Sequence, residues 1–79
     1  MRKESMVHQG WCQVGDQIYE ICVYCCRGRH FAQTEFTPED VIISDGSSLD
    51  EVLNRHQQLL PLAVNSRQLL RDARRKPDR

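Results

Sequence analysis

The stretch Ile18-Tyr19-Glu20-Ile21-Cys22-Val23-Tyr24-Cys25-Cys26 decides the fold of this chain. It is rich in β-branched and aromatic residues, a composition that predicts a β-strand. The connector Gly15-Asp16-Gln17 precedes it, and before the connector residues 11–14 form a second run of the same kind. Turn residues between two such runs predict a β-hairpin.

The length of the connector sets the pairing of this hairpin. If all three connector residues form the loop, Val14 pairs with Ile18 and Cys12 lies opposite Glu20. We then expect one row of side chains to face the core, with Trp11 on the same face of the hairpin. The expected inner row consists of Tyr19, Ile21 and Val23.

Two further strands are predicted downstream of the hairpin. Arg27-Gly28-Arg29 supplies a turn, after which residues 30–36 can run back as a third strand. Residues 41–43 are short and β-branched, which favours a fourth strand. Thr37-Pro38-Glu39-Asp40 between them fits either a turn or the start of a helix, because Thr suits the cap and Pro the first helical position.

A capping box marks the start of the C-terminal helix, since Ser48 is followed three residues later by Glu51. An apolar stripe typical of an amphipathic helix follows the cap. His56 lies at its centre, and we expect this histidine to be buried and hydrogen-bonded, with a ligand or pH-switch role as the alternative. The stripe consists of Leu49, Val52, Leu53, Leu59, Leu60, Ala63, Leu69, Leu70 and Ala73.

Pro61 interrupts the helical pattern. Proline lacks the N–H that would bond to the carbonyl of Gln57, and its ring disfavours helical geometry at Leu60. We therefore expect a break or kink and two helical segments, residues 49–60 and 62–75.

Together these elements predict an α+β fold. A small antiparallel sheet of three to four short strands, beginning with the β-hairpin, packs against a C-terminal helix that is broken or kinked at Pro61. A single domain is expected over residues 9–75, with a flexible N-terminus at 1–8 and a disordered tail at 76–79. The residues expected to cover the inner row of the sheet are Leu49, Val52, Leu53, Leu59 and Leu60.

Length and composition limit the class of protein. A chain of 79 residues forms one domain with a thin core, to which a staple or a partner would add stability. The first residues have no apolar segment typical of a signal peptide, and no stretch reaches the roughly 18 apolar residues that a membrane span requires. We therefore expect a cytoplasmic protein with reduced thiols and no membrane association.

Three of the four cysteines lie within five residues, and two of them have C-x-x-C spacing. This cluster raises the alternative of a small zinc-binding protein. Side chains three positions apart on a straight strand point to opposite faces, so that a zinc site would need a bulge near Cys25. On a straight strand we expect reduced cysteines packed as small hydrophobes. The candidate metal ligands are Cys22, Cys25, Cys26 and His30.

The charges sum to zero but are sorted along the chain. Residues 30–54 hold six acids and no Lys or Arg, whereas residues 67–79 hold six basic residues and two acids. The loop at residues 27–31 combines arginines with an aromatic side chain, the pairing by which proteins contact phosphates and stack on bases. This pattern predicts, as an alternative, an RNA- or DNA-binding module. Its candidate residues are Arg27, Arg29, His30, Phe31, Arg71, Arg74 and Arg75.

The sequence has no grouping typical of an enzyme. The acids lie mainly in turns and at the helix start, and neither a phosphate-binding loop nor a nucleophile elbow is present. We therefore expect a non-catalytic regulatory or adaptor protein that acts by protein–protein interaction, including self-association as a homodimer through the second helical segment. The candidate partner-binding residues are Leu69, Leu70 and Ala73.

Overall fold

A computed structural model describes residues 5–75, with side chains to residue 71, as a four-stranded antiparallel sheet and one C-terminal helix. The five elements are β1 Ser5–Val14, β2 Gln17–Cys26, β3 Arg29–Thr37, β4 Asp40–Gly46 and α1 Leu49–Arg75. The strands lie in the sheet in chain order. The predicted α+β fold with the hairpin first is thus confirmed. β1 begins inside the stretch predicted to be flexible, whereas residues 1–4 and the predicted tail at 76–79 lie outside the described residues.

Two-residue turns join the strands. Gly15 has φ 65° in the first turn, which suits the first central position of a type II′ turn. Arg27 and Gly28 have φ 52° and 81°, so the second turn has the two positive φ angles of type I′. Thr37 pairs with Asp40 across the third turn, so this stretch is a turn and not a helix start.

The first turn is one residue shorter than the three-residue loop considered above, because Gln17 already pairs with Val14. Cys12 consequently pairs with Tyr19, and Trp11 pairs with Glu20. A shift of one residue moves every side chain of one strand to the other face of the sheet. The expectation that Trp11 shares a face with the inner row is therefore wrong, and the tryptophan lies on the opposite face.

The core lies between one face of the sheet and α1. Ile21 and Val23, expected in the inner row, are 1% and 0% exposed, and Val52 and Leu60 of α1 are fully buried against them. Tyr19, Leu49 and Leu53 are half-buried at the margin of this core. Leu59 was expected to cover the sheet as well, but it is 37% exposed because it lies at the edge of the buried stripe.

The helix begins where the capping box predicts. The Glu51 backbone N–H donates to Ser48 Oγ over 3.1 Å, which satisfies one of the free N–H groups of the first turn. The Glu51 carboxylate, however, accepts hydrogen bonds from the backbone N–H and the hydroxyl of Ser47, at 2.9 and 2.6 Å. These bonds lower the pKa of Glu51.

α1 runs without interruption from Leu49 to Arg75, so the predicted break at Pro61 is wrong and a kink there is not confirmed. Pro61 is exposed, and the buried residues Leu60 and Ala63 hold the helix against the sheet on both sides of it. We attribute the continuity to this packing, which outweighs the single backbone hydrogen bond that proline removes.

Candidate interaction surfaces

One face of the sheet has no covering layer among residues 5–75. We call it the open face. Trp11 and Ile18 are each 64% exposed on it and Ile43 is 60% exposed, although large apolar side chains are normally buried. The open face consists of Met6, Gln9, Trp11, Gln13, Ile18, Glu20, Cys22, Tyr24, Cys26, Arg29, Phe31, Gln33, Glu35, Val41, Ile43 and Asp45.

The open face is acidic, with three carboxylates, those of Glu20, Glu35 and Asp45, and one basic residue, Arg29. Arg29 Nη2 donates to Asp45 Oδ2 over 2.5 Å. Each side chain of this pair is about half exposed, so solvent screens the attraction and the pair contributes little to stability. The carboxylates of Glu20 and Glu35 lie on the inner strands β2 and β3, between Trp11 of β1 and Val41 of β4.

The helix carries a second apolar stripe that its own sheet does not cover. Leu62, Leu69 and Leu70 are 67%, 63% and 63% exposed. With about 100° of rotation per residue, these leucines lie with Leu59 and Ser66 within an arc of about 100° that begins at the edge of the buried stripe and continues around the exposed side of the helix. We call these five residues the outer stripe. No segment of α1, the one helix among the described residues, is long and apolar enough to cross a membrane.

The outer stripe includes two of the three residues predicted to bind a partner, Leu69 and Leu70. Both are exposed, as a binding role requires. The third, Ala73, belongs to α1 and continues the spacing of the stripe in the sequence, but its side chain lies outside the described residues. The partner that these residues bind stays a prediction.

A cleft of about 840 Å³ opens between the end of the sheet that carries the first and third turns and residues 61–71 of α1. Arg67 occupies one side of it, with Nε and Nη2 each 2.7 Å from an Asp40 oxygen and the guanidinium 4.6 Å from the centre of the Phe36 ring. These bonds lower the pKa of Asp40. The described lining residues include no cysteine, serine or histidine, so the cleft offers none of the usual nucleophile–base pairs.

His56 makes two hydrogen bonds in the core, as predicted for a buried histidine. Thr34 Oγ1 donates to the carbonyl of Glu20 over 2.9 Å and therefore accepts from His56 Nε2–H, 2.8 Å away. Nδ1 then accepts from the Ser44 hydroxyl, also over 2.8 Å. Burial lowers the pKa of His56 and favours this neutral form.

Ser44 and His56 resemble a nucleophile with its base, but their position argues for a structural role. His56 is fully buried, and its second nitrogen is occupied by Thr34. Neither residue of the pair lines the cleft. Ser44 is half-buried, but both ring nitrogens of His56 are already engaged in hydrogen bonds.

The candidate metal ligands are not brought together. β2 and β3 pair without a bulge through Cys25, which lies opposite His30, and Cys26, which lies opposite Arg29. Cys22 and Cys26 consequently lie on the open face, whereas Cys25 and His30 lie on the other face of the sheet. No group of three or more metal-ligating side chains occurs within the described part of the chain.

All four cysteines are free and half-buried, and Cys12 packs against the core. Burial, followed by the charge and hydrogen bond of Glu20, raises the pKa of Cys22. A raised pKa keeps the thiol protonated near neutrality and lowers its reactivity as a nucleophile or metal ligand.

The candidate nucleic-acid-binding residues lie at two separate ends of the molecule. Arg27, Arg29 and Phe31 are at the turn between β2 and β3, where His30 pairs with Gly46 shortly before α1 starts. Arg71 lines the cleft at the opposite end, about 20 Å away along β4. Phe31 lies on the open face and His30 on the other. The side chains of Arg74 and Arg75 lie outside the described residues.

Sequence reasoning did not identify the open face as a candidate site, because it placed Trp11 of β1 on the face covered by the helix. Sequence reasoning also did not predict the ion pair between Arg67 and Asp40, because 27 residues separate the partners and no local pattern links them. Comparison of the chain with protein-family models, with curated proteins and with solved structures yields no match.

Proposed function

We propose that this chain is a non-catalytic protein-interaction module that forms a homodimer through the outer stripe of α1. The observation that carries the proposal is the exposure of Leu62, Leu69 and Leu70 on one helix face that the sheet does not use. Exposed leucines at helical spacing are typical of a helix–helix interface, where burial of their side chains drives association.

The order of residues along the outer stripe supports a second copy as the occupant. Leu62 and Leu70 lie four positions before and after Ser66, and Leu59 and Ala73 lie seven positions before and after it. Two such helices related by a twofold axis at Ser66 would pair Leu62 of each copy with Leu70 of the other. Self-complementarity of this kind is what a twofold interface requires. The small serine at the crossing would let the helices approach closely.

Charge favours an antiparallel over a parallel pair. Residues 67–79 carry six basic residues and two acids. Parallel helices would bring Arg74 and Arg75 of the two copies together. Antiparallel helices place these positions about 12 Å from the axis on either side, so that the two pairs are more than about 20 Å apart and the repulsion is screened at physiological salt. Like charges that meet across an interface oppose association.

The free state of all four cysteines supports a cytoplasmic location as part of the proposal, since reducing compartments keep thiols unpaired. The thin core of a short chain gives a reason for self-association, because a partner adds buried apolar surface that the monomer lacks. The buried position of His56, which withdraws the Ser44–His56 pair from any substrate, supports a non-catalytic role.

Sedimentation over a range of concentrations tests the dimer. We expect the wild-type chain to approach twice the monomer mass as concentration rises, and Leu62→Glu to stay monomeric. Because each dimer contains the substitution twice, two unpaired carboxylates would enter the interface, and we expect a loss of affinity of at least about 100-fold.

Gln57→Glu is the matched control, since it adds the same charge at an exposed position on the far side of the same helix. We expect this variant to dimerise like the wild type. A wild-type chain that is monomeric at several hundred micromolar contradicts the proposal. So does a dimer that both glutamate variants weaken equally.

A further inference from the structure

We infer that the open face of the sheet docks an amphipathic helical segment of a partner protein, with leucine-like side chains against the apolar residues near its two edges and lysine or arginine over the carboxylates of Glu20 and Glu35 between them. This site is the face of the sheet that α1 does not cover, and it shares no residue with the outer stripe, so it goes beyond the proposed dimer. A dimer formed through α1 would leave both open faces accessible.

The apolar side chains of the open face supply the contact area. Trp11, Ile18 and Ile43 are at least 60% exposed, and Met6 and Val41 add to them at 51% and 37%. They are distributed over β1, β2 and β4, so that they span the width of the sheet. Exposed large apolar side chains that are grouped on one face of a small domain mark an interaction site, whereas singly scattered ones do not.

The shape of the open face favours a helix as occupant. Four strands about 4.8 Å apart give a sheet about 14 Å wide, and one helix with its side chains is about 10 Å across. α1 covers the other face of the same sheet in this way, with Val52 and Leu60 seated on Ile21 and Val23. A second helix would complete a three-layer arrangement, with both faces of the sheet covered.

The charge of the open face defines the chemistry of the partner. Glu20 lies beside Trp11, Glu35 is opposite Val41, and Asp45 lies at the end of β4, whereas Arg29 is the only basic residue of the face. Glu20 and Glu35 are on the inner strands β2 and β3, between Trp11 of β1 and Val41 of β4. Carboxylates in this position attract lysine and arginine side chains and repel phosphates. The face is therefore complementary to a basic helix and not to a nucleic acid.

Trp11 makes the test direct, because it is the only tryptophan of the chain and lies within the proposed site. The probe is a synthetic helical peptide whose docking face carries arginines at its centre and leucines on either side of them. We expect its titration to shift Trp11 emission to shorter wavelength and to saturate, because docking removes the indole from water. Ile43→Ser should weaken the affinity about tenfold.

Two variants control for folding and location. Val41→Ser changes the same edge of the sheet as Ile43→Ser and should weaken binding in the same direction. Leu62→Ser removes an equally exposed apolar side chain from the outer stripe, and its affinity for the peptide should equal that of the wild type even if sedimentation shows no dimer. Sedimentation thus tests the dimer and the peptide affinity tests the open face, so that each proposal can fail without the other.

Four results would overturn the inference. The first is the absence of an emission shift at peptide concentrations up to about 1 mM, which would mean that the peptide does not bind with a useful affinity. The second is equal binding of a peptide with glutamates in place of the arginines. The third is an equal shift with a single-stranded oligonucleotide, which would assign the face to nucleic acid. The fourth is tighter binding of a peptide of residues 62–79 of this chain, which would assign the face to a second copy.

Discussion

The two faces of the sheet are made by alternate residues of the same four strands, yet only one of them is buried. Ile21, Val23 and Ala32 are at most 1% exposed beneath α1. Ile18 and Ile43, on the other face, are at least 60% exposed. Isoleucine occurs on both faces, so residue type alone does not distinguish them. The position of the helix decides which apolar residues stabilise the fold and which remain available for binding.

The largest expected effect is the difference in the free energy of unfolding between substitutions on the buried and on the exposed side of α1. Leu60 is fully buried, whereas Leu62, two residues further on, is 67% exposed. We expect Leu60→Ala to lower the free energy of unfolding by about 2–5 kcal/mol, because it leaves a cavity in the core. Leu62→Ala should change the free energy of the monomer by less than about 0.5 kcal/mol.

Urea unfolding of both alanine variants, at concentrations below that of self-association, measures this difference. Equal losses in the two variants would mean that α1 does not lie on the sheet as described here.

The next effect is the loss of stability that we expect from a larger side chain at Gly46, where the end of β4 contacts α1. A Cβ atom added at Gly46 would lie 3.1 Å from the backbone N and 3.2 Å from the Cα of Val52. Since the backbone of α1 cannot move without losing the core, we expect Gly46→Ala to cost about 1–3 kcal/mol.

Gly10→Ala is the matched control for Gly46→Ala. The added Cβ would approach the ring of His8 at 3.2 Å, and this side chain can rotate away. Thermal unfolding should therefore show a smaller loss for Gly10→Ala. The opposite order would contradict the close contact between β4 and α1.

The smallest expected effect is the pH dependence of the free energy of unfolding that the buried His56 causes. Burial lowers the pKa of His56 in the folded state, so that below about pH 6.5 the unfolded chain binds more protons than the folded chain. Stability should therefore be complete above that pH and fall as the pH decreases. Asp40 and Glu51, whose pKa values are lowered in the fold, add losses only below about pH 4.

Urea unfolding of the wild type and of His56→Gln between pH 7.5 and 5 tests this interpretation. Glutamine keeps hydrogen-bonding capacity near Thr34 and Ser44 but does not titrate, so the slope of stability against pH should become smaller. An unchanged slope would show that His56 is not the group responsible.

Sequence reasoning predicted the elements well where local chemistry fixes them. Ser48 and Glu51 placed the helix start correctly, and the composition of residues 18–26 predicted β2. Local rules failed at Pro61, where helix propensity indicated a break but the burial of Leu60 and Ala63 keeps the helix continuous. Tertiary packing outweighed a local preference there.

The candidate interaction surfaces were only partly predictable. Leu69 and Leu70 could be identified from helical spacing, because a helix has a fixed period. The open face was not identified, because one residue in the first turn decides which side chains of β1, including that of Trp11, lie on it. Counting Gln17 into the turn placed Trp11 in the core, whereas its pairing as the first residue of β2 exposes it.

A disulfide across the proposed twofold axis tests the central claim, self-association through the outer stripe, most directly. Ser66 is exposed at the middle of the stripe, so the thiols introduced by Ser66→Cys should meet in the dimer and become linked under mild oxidation. Leu59→Cys should not link to itself, because in an antiparallel pair Leu59 faces Ala73. Peptide mapping that finds a bond between the two introduced thiols of Ser66→Cys is the predicted result. Its absence at concentrations where sedimentation shows a dimer would contradict the account.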